Sequence, residues 1–416
     1  MTVIAINPAN GFPLPPEPDL TPADVLARAE AIAATLVERQ AEVEERTYYA
    51  EDVHEAFSKA GFYRILVPRR YGGYEFGVDT FMRVVRTLAR ACPSTGWMYC
   101  LGAVHAVFAG TVFPERAQEE IFASGEFIAP ATVMPAGTAE RHPDGGWVVD
   151  GTWGYCSGAP YATHFIGHAL YTREEGQEPE PILFIAPRAQ WRRLDDWGQQ
   201  LGLKGSGSHS IRVEKAHLPD HHVLPTHMSF YEVSEETPGR LLHINPQYGG
   251  GPLSFMILES ACLAVGIAYG ALDEYEDLMR SRTTMFPPIQ SRAENTDYQR
   301  WYGEASGKLA TAEAAFDGIV AQWQDLCAQG PAAFTKEREY RLAAMCREVV
   351  RLAWTAVEQY IYPTAGSSSV GRGQRLERVW RDLSMMQSHA GIAVALTTMV
   401  NRELTLARFG IASDQH

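Results

Sequence analysis

Trp97 and His105 stand eight residues apart in ACPSTGWMYCLGAVH, residues 91–105, a stretch opened by Pro93. Eight residues are just over two helical turns, so both side chains fall on roughly one face. In WGYCSG, residues 153–158, Trp153, Tyr155 and Ser157 alternate. At the period of an extended strand that alternation puts all three on one side. His389 closes a helical run that begins near Leu376, and Ala390 follows it. A hydroxyl that both donates and accepts, together with imidazoles that titrate near neutrality, is a set suited to proton transfer. The aromatic rings around Trp97 favour a flat ligand. Each residue also has a bland reading. The histidines could be core or capping groups, Ser157 an ordinary serine before a glycine turn, and Trp153 and Tyr155 plain core packing.

Other familiar chemistry is missing. There is no GxGxxG at a strand–helix junction and no GxxxxGK[ST], so a Rossmann or phosphate-loop nucleotide site is unsupported. Neither GxSxG nor HExxH occurs. Asp220, His221 and His222 invite a metal reading, but neighbours on an extended segment point to opposite faces, and no metal site is expected there. The six cysteines contain no CxxC pair, which fits reduced thiols in a cytoplasmic protein.

The elements that must position these residues change texture twice. Residues 1–20 carry several prolines and read as an extended arm; they lack the basic and apolar regions of a secretory signal. Residues 21–125 read as helical, with Thr21 as N-cap, Pro22 in the first turn, and further helices over 79–91 and 94–110. Residues 126–240 hold short apolar runs between Gly, Pro and Asp turns, and PDGG before WVVDG signals a hairpin. Residues 241–416 turn helical again, with Leu342, Met345, Val349, Ala353, Ala356 and Tyr360 forming one apolar face. Helices, then strands, then helices indicate segregated layers and an α+β, mainly α, class. Phe255 to Leu272 is the longest apolar run. Glu259 and Ser260 interrupt it, so a buried core helix is expected and not a membrane span. The net charge of −14 argues against a nucleic-acid partner.

Four segments, in order, resemble one superfamily. Residues 202–224, GLKGSGSHSIRVEKAHLPDHHVL, resemble the β-domain segment of acyl-CoA dehydrogenases and their oxygenase relatives. LERVWRDLSMMQSHAG, residues 376–391, is similar to the C-terminal ER-x-x-RD helix. Residues 91–105 resemble the CGSTAW helix of the oxygenase branch, and WGYCSG its W-x-x-S-G strand. The resemblance spans essentially the whole chain. It implies an acyl-CoA dehydrogenase-like fold: an N-terminal helical domain, a central β domain and a C-terminal four-helix bundle. Many dehydrogenases place a catalytic glutamate nine residues after the arginine of the RD pair. Here that position is Ala390, beside His389. On other dehydrogenases the base lies on the first helix after the β domain; there the alignment meets Met256, with Glu259 one turn away. A histidine in place of the glutamate is what oxygenase components of the 4-hydroxyphenylacetate 3-hydroxylase type carry.

That resemblance to two-component, flavin-dependent monooxygenases sets the expectations. Ser157 would meet flavin N5 and prolong a C4a-hydroperoxyflavin. His389 would share the proton of a substrate hydroxyl; a phenol near pKa ~10 and a histidine near ~6.5 differ by about 5 kcal/mol, so the proton is shared only as charge develops. His105 is the third catalytic candidate. Trp97, Thr132, Trp153 and Tyr155 would surround the flavin with Ser157, while Arg282, Arg372 and Arg378 compete for its phosphate. The expected cofactor is reduced FMN, with reduced FAD second and O2 as co-substrate. A separate NAD(P)H:flavin reductase would supply it, the substrate would be a small aromatic, and the assembly a cytoplasmic homotetramer. The rivals are an N- or S-oxygenase of the same family, an acyl-CoA dehydrogenase-like FAD enzyme and a flavin-free scaffold.

Overall fold

The computed structural model describes residues 6, 11, 13–174 and 176–412, so much of the expected arm over 1–20 lies outside the described residues. The first long helix, Pro22–Leu36, starts where its cap requires. The Asp24 N–H donates to the Thr21 hydroxyl at 3.2 Å, and the Thr21 N–H donates back to the Asp24 carboxylate at 3.0 Å. Two otherwise orphaned amides are thereby satisfied. Helix Val78–Ala91 follows, and it packs on helix Pro252–Ser281. The single helix expected over 94–110 is two, Pro93–Ala103 and His105–Val112, interrupted at Val104. Nearly every residue of both is buried, so neither needs a polar face.

The middle of the chain forms one seven-stranded sheet. Its strands are β1 (Gly137–Arg141), β2 (Trp147–Trp153), β3 (His164–Tyr171), β4 (Glu180–Pro187), β5 (Trp191–Arg193), β6 (Ile211–Leu218) and β7 (Val223–Leu224). Their order is β5-β6-β2-β1-β3-β4-β7. β1 and β2 form the hairpin that PDGG announced, with Gly145 at φ 93 and Gly146 at φ 80. β1 and β3 run parallel; the other pairings are antiparallel. Trp153, Phe165 and Phe184, all fully buried, pack together, Phe184 edge-on to both of the others.

The C-terminal region is built on long helices: Pro252–Ser281, Thr296–Gln329, Lys336–Thr355 and Arg375–Gln387. Helix 252–281 is apolar enough to cross a membrane, but 89% of its most apolar window is buried inside the protein, as expected of a core helix. It packs against helices from both helical regions and so joins them into one core. Past Gln387 the chain breaks at Ser388 and His389, then resumes as a π-helical stretch, Gly391–Met399, and helix Val400–Phe409. All six cysteines are buried free thiols.

Candidate active site

The four segments that carry the resemblance meet in space. The Trp97 indole N–H donates to the Ser157 hydroxyl at 3.0 Å, and the Trp97 ring meets the His389 ring edge-on at 5.2 Å. Ser157 Oγ lies 2.7 Å from Ser208 Oγ, which lies 2.6 Å from Ser206 Oγ. Helix 93–103, the turn after β2, the glycine-rich loop before β6 and the break after helix 375–387 are thus joined by side-chain contacts. An indole N–H only donates, so Ser157 accepts from Trp97 and keeps its own hydrogen for Ser208 or a ligand.

Asp382 anchors this arrangement. The Leu203 N–H donates to its Oδ1 at 2.6 Å and the Ser94 hydroxyl to its Oδ2 at 3.3 Å. Burial raises this carboxyl to about 7, against the pull of the Leu203 amide. Gly202 lies so close to the Arg381 backbone that a Cβ would collide with its carbonyl, which explains the glycine without invoking a turn. Two non-glycine residues in the left-handed region flank the serines, Tyr155 at φ 60 and Leu203 at φ 52. Such backbone costs of order 1 kcal/mol each and persists where surrounding contacts dictate it.

His389 reaches solvent, yet protein crowds the rest of its ring, and that desolvation holds the imidazole below its ordinary value. His105 is buried two turns along from Trp97 and bonds the Ala129 carbonyl through Nδ1 at 2.7 Å. A carbonyl only accepts, so Nδ1 carries the proton and Nε2 presents a lone pair. Burial depresses this histidine to about 4. Its Nε2 lies 3.8 Å from Oε1 of Glu259, a buried carboxyl on helix 252–281 whose affinity for its proton burial raises strongly.

Several sequence expectations are corrected. Trp153, Tyr155 and Ser157 do not share a face, because β2 ends at Trp153 and the positive φ of Tyr155 turns the chain. Trp153 points into the sheet's core, with its N–H on the His168 carbonyl at 2.9 Å, and it cannot stack on a bound ring. Tyr155 is 66% exposed and meets Trp197 edge-on. Arg378 does not present a free guanidinium. Its Nε lies 2.9 Å from Glu44, which Arg381 also engages at 2.8 Å. Arg282 and Arg372 are exposed, with no ion-pair partner among the described residues. The Thr132 hydroxyl is sealed without a hydrogen-bond partner, and its backbone carbonyl takes the His168 Nδ1–H at 2.8 Å.

His221 and His222 do not point apart either. They sit on a tight turn, Asp220–His222, and both Nε2 atoms lie 3.0 Å from the Glu120 carboxylate. The ligand atoms of the three residues lie within 4.8 Å of one another, the spacing of a candidate metal cluster. The Arg116 guanidinium, 3.6 Å from the same carboxylate, already supplies a cation. Sequence reasoning missed four residues that the fold brings to the site: Ser206, Ser208, Asp382 and Glu259. Glu259 had a visible signal as a charge inside the longest apolar run and Asp382 as the aspartate of the RD pair, while Ser206 and Ser208 lie unmarked within the glycine-rich segment 202–224.

Comparison with known proteins identifies the family. Residues 24–118 match the acyl-CoA dehydrogenase N-terminal domain and residues 258–394 the acyl-CoA dehydrogenase C-terminal domain. A pigment production hydroxylase from a Rhodococcus species is 29% identical over 89% of this chain and 93% of its own. The oxygenase subunit HsaA, a flavin-dependent monooxygenase from Rhodococcus jostii, is 28% identical over 88% of this chain and 94% of its own. The crystal structure of 3-HSA hydroxylase from a Rhodococcus species superposes with a TM-score of 0.82 at 26% identity, covering 94% of this chain and 98% of that one. The chain therefore belongs to the acyl-CoA dehydrogenase-like superfamily, in its branch of two-component flavin-dependent monooxygenases.

Proposed function

We propose that this oxygenase component hydroxylates a small aromatic substrate, most simply ortho to a phenolic hydroxyl, with reduced FMN preferred over reduced FAD. The observation that carries the reading is the Trp97–Ser157–His389 contact set beside Ala390, where a thioester dehydrogenase would need a carboxylate. A flavin suits the residues present. Ser157 retains a hydrogen to donate, the Thr132 hydroxyl is orphaned, and Tyr155 lies exposed at the same turn. Arg282 or Arg372 would hold the phosphate. Reduced flavin, when bound, supplies the two electrons that activate O2. This chain's own groups do the rest: Trp97 fixes the Ser157 hydroxyl, Ser157 offers its hydrogen to the flavin ring, and His389 shares the proton of the substrate hydroxyl. Helix 93–103 and the glycine-rich loop bury the Ser157 hydroxyl between Trp97 and Ser208.

The partners in this reading are a small aromatic substrate and a separate NAD(P)H:flavin reductase; the name of the flavin-dependent monooxygenase relative, an oxygenase subunit, supports a second component. The working assembly in this reading is a cytoplasmic homotetramer. The test supplies photoreduced FMN and O2 to the protein with a panel of phenols, indoles and aryl sulfides. Oxygen-18 incorporated from O2 into an aromatic carbon is the expected result. An oxide formed only at sulfur or nitrogen, or oxygen consumed with no oxygenated product across the panel, would overturn it.

A further inference from the structure

A carboxyl group inside an apolar core helix calls for an explanation, because burying it unpaired costs several kcal/mol that a leucine would not. Glu259 is such a group. It is 5% exposed, and its Oε1 makes no hydrogen bond among the described residues. Three titratable groups face it: His105 from helix 105–112, Cys100 from helix 93–103 and Cys262 from its own helix. Both thiols are buried and held protonated by desolvation. The one base within reach is the His105 Nε2, whose lone pair is left open because Ala129 fixes the proton on Nδ1. The next residue, Ser260, lies under the chain at Gly391, two residues past His389. This turn of helix 252–281 is therefore a wall shared by the two histidine segments.

We propose that Glu259 is a positioning residue for His105, facing it as a neutral carboxylic acid and holding the one proton that the pair can exchange. The inference rests on the oxygenase reading above, with His105 as its third catalytic candidate. The step conserves atoms and charge: the Glu259 O–H breaks, an N–H forms at His105 Nε2, and the neutral pair becomes carboxylate and imidazolium. The 3.8 Å separation in the resting chain keeps the proton on Glu259. Exchange requires the two groups to approach to hydrogen-bond distance.

The first measurement needs no activity. Infrared difference spectra of the full chain, wild type minus E259Q, isolate the Glu259 carbonyl stretch. The expected result at neutral pH is a protonated-acid band that moves in H105F, where Nε2 is gone. No protonated band, or a band that H105F leaves in place, overturns the proposal. The second measurement reads product formation from pH 6 to 9. E259Q should be slowed at least tenfold with reduced-flavin affinity unchanged, and E259D should recover part of the loss. An E259Q enzyme with the wild-type rate across that range refutes the proton-holding role. If the wild type hydroxylates no aromatic, the functional reading fails, and the infrared bands still decide the pair.

Discussion

Deleting the Ser157 hydroxyl should unsettle the site in a way that the Trp97–Ser157 contact makes quantitative. Trp97, Ser157 and Ser208 are all buried. In Ser157→Ala the buried Trp97 N–H loses its acceptor, and an orphaned buried donor costs about 1–3 kcal/mol. Ser208 keeps Ser206 at 2.6 Å, so the rest of the chain of hydroxyls survives. In Trp97→Phe the donor itself disappears, and Ser157 stays bonded to Ser208, so nothing is orphaned and the cost is lost volume. The double variant should therefore be less destabilised than the sum of the singles, by about 1 kcal/mol or more. Urea unfolding of the four proteins at one concentration, followed by circular dichroism, measures this, provided the slopes agree. A coupling below about 0.3 kcal/mol would mean that the contact is not made in solution. The same variants separate structure from chemistry. Ser157→Ala should lower product per O2 consumed about 10²-fold, because the hydrogen offered to the flavin is gone. Ser208→Ala frees that hydrogen and should leave the ratio near wild type. Equal losses in both variants would refute the donor assignment.

Other outcomes follow from charge and burial. His243 is held at about 4 by burial, so the unfolded chain takes up a proton between pH 6.5 and 4 that the folded chain refuses, and stability falls as pH drops through that window. The stability deficit of His243→Gln relative to wild type should therefore shrink by up to about 3 kcal/mol between pH 7.5 and 4.5, and a constant deficit would contradict this. Asp382 has the opposite sign. Its folded value of about 7 lies above the ordinary carboxylate value, so its contribution is lost as pH rises from 4 through 7. Asp382→Asn should gain on wild type by up to about 4 kcal/mol from pH 4 to 8, read as urea midpoints at each pH. Arg282→Ala and Arg372→Ala should show which one holds the flavin phosphate through a loss of about tenfold in reduced-flavin affinity. Arg378→Ala should instead lower the unfolding midpoint, because Glu44 loses one of its two close arginines.

What the sequence announced was local chemistry. The Thr21–Pro22 start, the PDGG hairpin and the buried helix around Phe255 each depend on residues a few positions apart, and each forms as expected. What it concealed was set by single backbone angles or distant partners. No pattern marks Tyr155 as a left-handed residue, and that one angle separates Trp153 from Ser157 and puts the indole in the sheet's core. A tight turn after Pro219 brings His221 and His222 onto one carboxylate, against the strand rule. Arg378 looked free because Glu44, which occupies it, lies 334 residues away. Helix 93–103 gives no warning of its break at Val104, since an all-round apolar segment has no stripe whose phase could slip.

The same distinction separates the candidate site from its supports. In the proposed oxygenase Trp97, Ser157 and His389 would be fixed in type by the chemistry they face, which is why they sit in segments that carry the family resemblance. Their supports answer only to geometry. Asp382 must reach a backbone amide in a loop 179 residues away, and Ser208 must sit under one hydroxyl. These supports are polar groups buried in an apolar wall, which costs stability unless every bond is made. Replacing Asp382 should therefore move the site by releasing the glycine-rich loop, with substrate and flavin contacts formally intact. Replacing His389, which orphans no buried partner, should leave the wall standing and stop the chemistry, whereas replacing Ser157 costs both stability and coupling. A Ser208 or Asp382 variant that lost hydroxylation with an unchanged unfolding midpoint and flavin affinity would break that division of labour.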